Sequence, residues 1–258
     1  MPQILNIQHQ MDVSDIIASE IKATEQYLAQ LKALEAPPED SEVQEKLGGG
    51  HYTLGSKLKP TTIEDFCHLH NLPKVRFRVD LGDYMSKQLQ AHNKPLPDGR
   101  WIHFKPGDEL RPFQFLKVNY KSYGTWKVTT DYLRCNPNFF GQPRYDFVLF
   151  TGDVDQPVFG QIKHLFVCKL GGTQYALALV QPYKVVNLLR RPRSDRDCGL
   201  LRVRREAESE YIWVDSIIRG ALVVASASAE DEKLVVDTID YDMFLRVKKH
   251  WPHYTDNQ

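Results

Sequence analysis

The first clear pattern of hydrophobic and polar positions in the chain is a helical one. Between residues 14 and 34, apolar residues recur at intervals of three, four and seven and form one stripe, as in an amphipathic helix. Ser14 stands where an N-cap is needed, and Asp15 follows it where the helix dipole favours an anion. We therefore predict a helical arm over residues 1–36, whose stripe at residues 14–35 offers a surface for self-association or for a protein partner.

Glycine and proline end this pattern and mark a linker. Two consecutive prolines follow the arm, and after a group of acidic residues comes the glycine-rich run LGGGHYTLGSKLKP. Such a composition predicts a flexible linker over residues 37–60. Beyond it, two short helices are expected within residues 61–99. The first is opened by a capping box of Thr61 with Glu64, and the second is capped by Asp80.

From Trp101 onwards, the period of the pattern falls to two. Runs such as FQFLKVNY, VFGQIKHLFVCKL and TQYALALVQPYKVV are rich in β-branched and aromatic residues and are separated by turn-forming residues. WIHFKP and KLVVDTIDYDMFLRV are interpreted as strands in the same way. Gly171 and Gly172 between two such runs indicate a hairpin. We expect an antiparallel, barrel-like body over residues 100–250, and hence an α+β fold in which the helices pack against a β-barrel.

Composition and charge place few limits on function. The chain has 258 residues, of which 42% are hydrophobic, and is long enough to bury a sizeable core. Its 33 basic and 33 acidic residues give a net charge of zero, which does not by itself indicate a nucleic-acid partner. The first 60 residues carry five lysines against nine acids, a net charge of −4, so the remainder carries +4. An acidic arm therefore precedes a mildly basic body.

The sequence favours an intracellular location. Its start, MPQILNIQHQMDVSD, lacks the basic segment and apolar run of a signal peptide. No stretch reaches the ~20 apolar residues of a membrane span, so no membrane association is expected. The four cysteines are far apart and follow no disulfide spacing, which is typical of a reduced compartment. The nucleus is the expected compartment if the partner is chromatin or DNA.

The densest cluster of arginine is LLRRPRSDRDCGLLRVRRE, at residues 188–206. Clustered guanidinium groups hold phosphate bidentately. Arg202 and Arg204 alternate with apolar residues, so the two should share one exposed face of a strand. Acids within the cluster leave a solvated loop with local ion pairs as the alternative. The candidate binding residues here are the arginines and the nearby aromatic residues: Arg190, Arg191, Arg193, Arg202, Arg204, Arg205, Tyr183 and Trp213.

A second candidate surface lies in TDYLRCNPNFFGQPRYDFVLF. Its prolines and glycine predict a rigid turn that presents Phe139 and Phe140. Arg134 and Arg144 stand on either side, and paired aromatic rings beside arginine form binding surfaces. Packing of the two phenylalanines between the β-rich body and the helices is the alternative.

Catalytic motifs do not stand out. CHLH, at residues 67–70, is the one close group of Cys and His, and the other His pair lies near the far end of the chain, whereas zinc needs three or four ligands. LGGGHYTLGSK lacks the P-loop spacing. We therefore predict no catalytic residue, no metal and no cofactor, and we favour a protein that is not an enzyme.

One alternative is a metal-dependent nuclease. Asp237, Asp240 and Asp242 stand near a predicted strand, and Lys163 stands on another. Carboxylates at strand ends can hold Mg²⁺ for phosphodiester cleavage, with a lysine assisting. Aspartate in ordinary turns explains the same residues.

Two segments of the β-rich body resemble the layout of BAH (bromo-adjacent homology) domains. In that family, a strand of the type G-x-I-x-x-I/L-F leads through a turn to an aromatic-rich strand, and a segment V-x-S-I-x-x-G follows a variable loop. The matching residues here are Gly160, Ile162, Leu165, Phe166, Val214, Ser216, Ile217 and Gly220. The resemblance spans residues 158–224 and implies a chromatin-associated β-barrel. Some members have an aromatic cage for methylated lysine, for which QPYKV supplies only Tyr183.

A second resemblance covers residues 100–248. The run RPFQFLKVNYKSYGTWKVTTDYLRCNPNFFGQPRYDFVLF, with IIRGALVV and VDTIDYDMFLRVK, is similar to proteins of mushroom-forming fungi that accompany transposons of the Kyakuja–Dileera–Zisupton type. It implies a setting among mobile elements but transfers no site residue. Together, these observations predict a non-enzymatic module that binds chromatin or nucleic acid. The alternatives are a nuclease-like enzyme and a structural protein that oligomerises through residues 14–35.

Overall fold

The computed structural model describes Lys22, Gln26 and residues 51–152, 156–186, 200–226 and 229–252. The chain divides into two units, Met1–Glu42 and Val43–Gln258, and every element below belongs to the second. Of the predicted helical arm, only Lys22 and Gln26 lie within the described residues, and both are helical. The stripe proposed for self-association lies outside them.

The described part of the second unit contains thirteen strands and three helices, so the fold is α+β, as predicted. The helices are α1 (Ile63–Leu69), α2 (Lys74–Ala91) and α3 (Tyr241–His250). The strands are β1 (Tyr52–Lys57), β2 (Thr61–Thr62), β3 (Glu109–Lys121), β4 (Val128–Phe139), β5 (Gln142–Tyr145), β6 (Phe147–Thr151), β7 (Pro157–Leu170), β8 (Thr173–Val185), β9 (Leu201–Arg205), β10 (Glu210–Trp213), β11 (Ile217–Ala221), β12 (Val223–Ala225) and β13 (Glu232–Val235).

The strands form one antiparallel sheet in the order β12-β13-β9-β8-β7-β3-β4-β5. β1 and β2 pair with β3, β10 pairs with β8, and β6 joins β7 to β11. Among the described strands, β5 and β12 do not pair with each other, so the sheet is not closed and the barrel prediction is wrong. Alternation of apolar and polar residues is the same in open and closed antiparallel sheets, which explains the error.

The β7–β8 hairpin was predicted correctly. Leu170 pairs with Thr173 across Gly171 and Gly172, whose φ values are 54° and 84°. A type I′ turn needs positive φ at both central residues, which glycine adopts without strain. Further along, a bulge between Ile162 and His164 interrupts the register of β7.

Three hydrophobic clusters hold the fold together. One lies among the strands, a second lies beneath α1 and α2, and a third lies beneath α3. In the second, Phe166 of β7 is fully buried, which stabilises the fold by about 1.5–3 kcal/mol relative to an exposed side chain. At Gly82 of α2, an added Cβ would stand 2.4 Å from the carbonyl oxygen of Ile102. Only glycine allows so close an approach of the helix.

The boundaries of two predicted segments at the start of the unit need correction. Residues 52–57, within the predicted linker, form β1, because the buried Tyr52 and Leu54 alternate and pair with β3. The capping residue of α1 is Thr62, whose Oγ1 accepts a hydrogen bond from Asp65 N. Asp80 lies inside α2 and pairs with Arg76 instead of capping the helix.

Two predicted strands are also wrong. WIHFKP, at residues 101–106, contains no strand, because the Ile102 N–H donates to Ser86 Oγ of α2 instead of to another strand. In KLVVDTIDYDMFLRV, only the start is a strand; a turn at residues 236–240 follows, and α3 begins at Tyr241. Asp240 caps α3, and Met243 and Val247 bury one face of it at helical spacing.

No helix among the described residues combines the length and the apolar character that crossing a membrane requires.

Candidate functional site

The arginine cluster is only partly within the described residues. Arg190, Arg191 and Arg193 lie outside them, whereas Arg202, Arg204 and Arg205 belong to β9. The residue Glu232 of β13 stands directly opposite Arg204. The surroundings of β9 therefore include an acid that no sequence neighbour of the arginines reveals.

Arg202 and Arg204 share one face of β9, but Arg202 is not exposed. Its side chain is 5% exposed, and its Nη1 lies 2.6 Å from Glu232 Oε2 and 2.8 Å from Ser226 Oγ. Arg204 binds the other carboxylate oxygen of Glu232 through Nε, at 3.1 Å, and through Nη2. Hydrogen bonds from Arg204 and Arg202 lower the pKa of Glu232. The prediction of an exposed arginine pair is wrong for Arg202, whose buried side chain binds residues of the fold itself.

The aromatic residues near the cluster are packed as well. Tyr183 is buried, with its ring 5.3 Å from that of Phe147. Trp213 is half-buried, and its Nε1 donates to Gln88 Oε1 of α2 at 3.3 Å. A residue of an aromatic cage must face its ligand, and Tyr183 faces the third core cluster instead.

The carboxylates considered for a nuclease site are held by arginine. Arg219, itself buried, lies 2.6 Å from Asp242 Oδ2 and 2.5 Å from Asp240 Oδ2. Arg246 also binds Asp242, at 2.7 Å. Burial alone would raise the pKa of Asp242, but hydrogen bonds from Arg246, from the Tyr123 N–H and from Arg219 lower it.

These carboxylates are not arranged for a metal. Asp237 is buried, and Asp240 and Lys163 line two different cavities. In the part of the chain that the structure describes, no three His, Cys, Asp or Glu side chains are grouped so as to hold a metal ion. In CHLH, Cys67 is buried and His68 is exposed.

The second candidate region does assemble into a cluster whose outer side chains reach the surface, whereas its members Phe115 and Arg134 are buried. We call it the aromatic–arginine surface: its members are the aromatic and guanidinium side chains of β3, β4, β5 and the β4–β5 turn, namely Phe115, Tyr132, Arg134, Phe139, Phe140 and Arg144. Phe115 stands directly opposite Arg134, and Tyr132 lies two residues before Arg134 on the same face of β4. The sequence had indicated four of these six residues as neighbours. Phe115 and Tyr132 were missed because β3 and β4 bring them together.

The side chains of the aromatic–arginine surface form a stacked row. Tyr132 stacks on Phe115 with ring centroids 5.8 Å apart and planes 17° apart. The Arg134 guanidinium lies between two rings, 4.4 Å from the Phe115 centroid and 5.3 Å from the Phe139 centroid. Arg144 covers Phe139 at 5.1 Å. Cations over aromatic faces are attracted by the ring quadrupole, which holds the row in place.

Local features of the sheet position this row. At Gly55 of β1, an added Cβ would lie 2.8 Å from the Phe115 ring, so glycine lets the ring lie flat on the strand. Asp146 accepts hydrogen bonds from Arg134 N, at 2.7 Å, and from Arg144 Nε, at 3.0 Å. One carboxylate therefore holds the backbone of Arg134 and the guanidinium of Arg144.

Phe140 is the most exposed member of the row. Phe139 pairs with Gln142 across a two-residue turn, in which Phe140 has a φ of 50° and Gly141 a φ of 82°. This is a type I′ turn, and its first position favours Asn, Asp or Gly. A phenylalanine there costs about 1–2 kcal/mol, yet its side chain is 74% exposed. Packing alone does not explain this residue.

An open groove of about 450 Å³ lies beside the row, and Tyr132 and Arg144 both line it. Its carboxylates are paired: Asp146 with Arg144, and Asp131 and Asp240 with Arg219. Tyr132 is 52% exposed there. The groove thus presents the face of Tyr132 and the guanidinium of Arg144, whereas its second arginine, Arg219, is buried and held by aspartates.

Comparison with known proteins adds no relative. No protein-family model matches the chain, and no curated protein matches it significantly.

Proposed function

We propose that the protein is a non-enzymatic module that binds single-stranded nucleic acid through the aromatic–arginine surface. The observation that carries the proposal is Phe140, an exposed aromatic ring at a φ of 50° that contacts Phe139, the ring over which the Arg134 and Arg144 guanidinium groups lie. Strained residues that persist in a fold are concentrated at functional sites. Stacking of a base on this ring would explain why the strained backbone conformation of Phe140 is retained.

The chemistry of the surface fits this ligand. Stacking of a base on an aromatic side chain contributes about 1–3 kcal/mol and tolerates any base. Arg144 stands beside Phe139, where a guanidinium can hold a phosphate of the same strand. Tyr132 and Phe139 are linked through Phe115 and Arg134 by successive contacts of 5.8, 4.4 and 5.3 Å. Such a row offers room for a short stretch of a single strand.

The wider setting stays part of the same proposal. A place in chromatin or among mobile elements follows from the two resemblances, and a nuclear location would follow from either. The BAH-like order of elements over residues 158–224 is proposed without the closed barrel. Self-association through residues 14–35 stays a prediction.

Fluorescence anisotropy of a labelled 20-nucleotide single strand tests the proposal. We expect salt-sensitive binding, because phosphate contacts release counterions, and a loss of affinity of about 1–3 kcal/mol in Phe140→Ala. Trp126→Ala is the matched control, since Trp126 is also an exposed aromatic residue at positive φ but lies outside the surface. Equal losses in both variants, or no binding by the unchanged protein, would refute the assignment.

A further inference from the structure

A cavity of about 290 Å³ lies between α1 and strands β3, β4, β5 and β7, and no member of the aromatic–arginine surface lines it. Its walls are largely apolar. They include Phe66 and Leu69 of α1 and Pro112 and Phe113 of β3. The volume is just below the range of about 300–1,000 Å³ that is typical of small-molecule sites.

The ionisable side chains of this cavity are mainly basic. Lys59, His70, Lys163 and His164 line it beside the uncharged Thr61 and Gln114, and none of its described lining residues is Asp or Glu. The imidazole rings of His70 and His164 face each other with centroids 4.4 Å apart. Among the described residues, no hydrogen bond is made to either ring.

The bulge in β7 explains why two consecutive basic residues reach the same cavity. The register of β7 shifts between Ile162 and His164, and such a bulge re-aims side chains. Lys163 Nζ lies 5.8 Å from the ring centroid of Tyr145, another lining residue, and donates to Gln161 Oε1 at 2.7 Å. Three basic groups therefore surround an apolar space without an acid.

We propose that this cavity binds a small apolar carboxylate, with its carboxylate beside His70, Lys163 and His164 and its hydrocarbon part against Phe66 and Phe113. The three basic groups are half-buried, and such groups are stabilised by an anion that accepts their hydrogen bonds. The apolar walls select a ligand with a hydrocarbon part over an inorganic anion. This site is separate from the aromatic–arginine surface and does not depend on the nucleic-acid proposal.

An anionic ligand would change the protonation of these groups, because burial leaves both imidazoles neutral near pH 7 in the free protein. Burial, followed by the charges of His70 and Lys163, lowers the pKa of His164 to about 3, and burial also lowers the pKa of His70. Burial and the charge of Arg205 lower the pKa of Lys163. An anion opposes all three shifts, so binding should take up protons and tighten as the pH falls.

The same surroundings favour reversible binding. The Cys135 thiol also lines the cavity, and burial raises its pKa to about 12. A thiol in this state stays protonated and is a weak nucleophile. Its Sγ donates to the carbonyl oxygen of Lys163.

Isothermal titration calorimetry with octanoate and with 1-octanol tests the proposal on the unchanged protein. The two probes share a chain length and differ in charge. We expect octanoate to bind one to one and at least about tenfold more tightly than octanol, the effect of a charge-assisted hydrogen bond. Binding of octanoate should be tighter at pH 6 than at pH 8. Equal affinity of the two probes, or no binding of either, would overturn the proposal.

Variants test whether octanoate binds in this cavity or elsewhere on the protein. Lys163→Met should weaken octanoate about tenfold and leave octanol unchanged, whereas Lys169→Met, at an exposed lysine of the same strand, should change neither. Phe140→Ala should leave octanoate binding intact. Octanoate binding that survives Lys163→Met at full strength would contradict the placement of the carboxylate.

Discussion

Two substitutions of Phe140 should differ in their effect on stability but have the same effect on binding affinity. Asn is the residue that type I′ turns favour before Gly, so Phe140→Asn removes the ring and relieves the backbone at once. Phe140→Ala removes the ring but leaves a residue that also disfavours the φ of 50°. Because both variants lack the ring, the difference between their stabilities measures the effect of the backbone conformation alone.

The magnitudes follow from the turn. Relief of the left-handed conformation is worth about 1 kcal/mol. The ring that is lost contacts Phe139 edge-on, with centroids 4.6 Å apart, and such a pair is worth about 0.5–1.5 kcal/mol. Phe140→Asn should therefore be about as stable as the unchanged protein, and Phe140→Ala should be about 1 kcal/mol less stable than Phe140→Asn.

Urea unfolding followed by circular dichroism measures the stabilities, and anisotropy with the 20-nucleotide strand measures binding. Both variants should lose the same affinity, about 1–3 kcal/mol, because both lose the stacking ring. The reasoning fails if Phe140→Asn unfolds as easily as Phe140→Ala, since the backbone would then carry no strain. It also fails if Phe140→Asn binds normally.

Three further predictions concern the stability of the fold. Arg202→Met should destabilise the protein by about 3 kcal/mol in urea unfolding, because it leaves the buried carboxylate of Glu232 with one partner fewer; a loss below 1 kcal/mol would show that the pair is dispensable. The lowered pKa of Glu232 means that its contribution is present above the unfolded value of about 4.3 and is lost as the pH falls through the folded pKa. Glu232→Gln should accordingly reduce the change in stability between pH 5 and pH 3, and an unchanged pH profile would contradict this. Gly82→Ala should lower the free energy of unfolding by about 1–3 kcal/mol, since its Cβ would clash with the Ile102 carbonyl oxygen. An unchanged melting temperature in this variant would contradict the close approach of α2 to Ile102.

Local features of the sequence were sufficient for the central strands. Alternation and the Gly171–Gly172 pair predicted the β7–β8 hairpin correctly, because register in a hairpin depends on residues that are neighbours in the chain. The short apolar run at α3 was misread as a strand, since a few apolar residues fit both periods. Its capping aspartate, Asp240, was the signal that distinguishes the two.

The candidate site depended on contacts between residues that are far apart in the sequence. Arg202 was counted as a free cation because Glu232 lies 30 residues away in the chain and comes opposite β9 only through β13. Phe115 joins the aromatic–arginine surface through pairing of β3 with β4. Counting arginines therefore took no account of the acid opposite β9, whereas the turn around Phe139 and Phe140 had a local signal in its prolines and glycine.

Photo-crosslinking distinguishes the aromatic–arginine surface from the arginine cluster. A single strand that contains 5-bromouridine is irradiated with the protein, and the crosslinked peptide is identified by mass spectrometry. We predict a crosslink in the peptide that holds Phe139 and Phe140, and its loss in Phe140→Asn. A crosslink confined to residues 187–206, or one that persists in Phe140→Asn, would contradict binding through the aromatic–arginine surface.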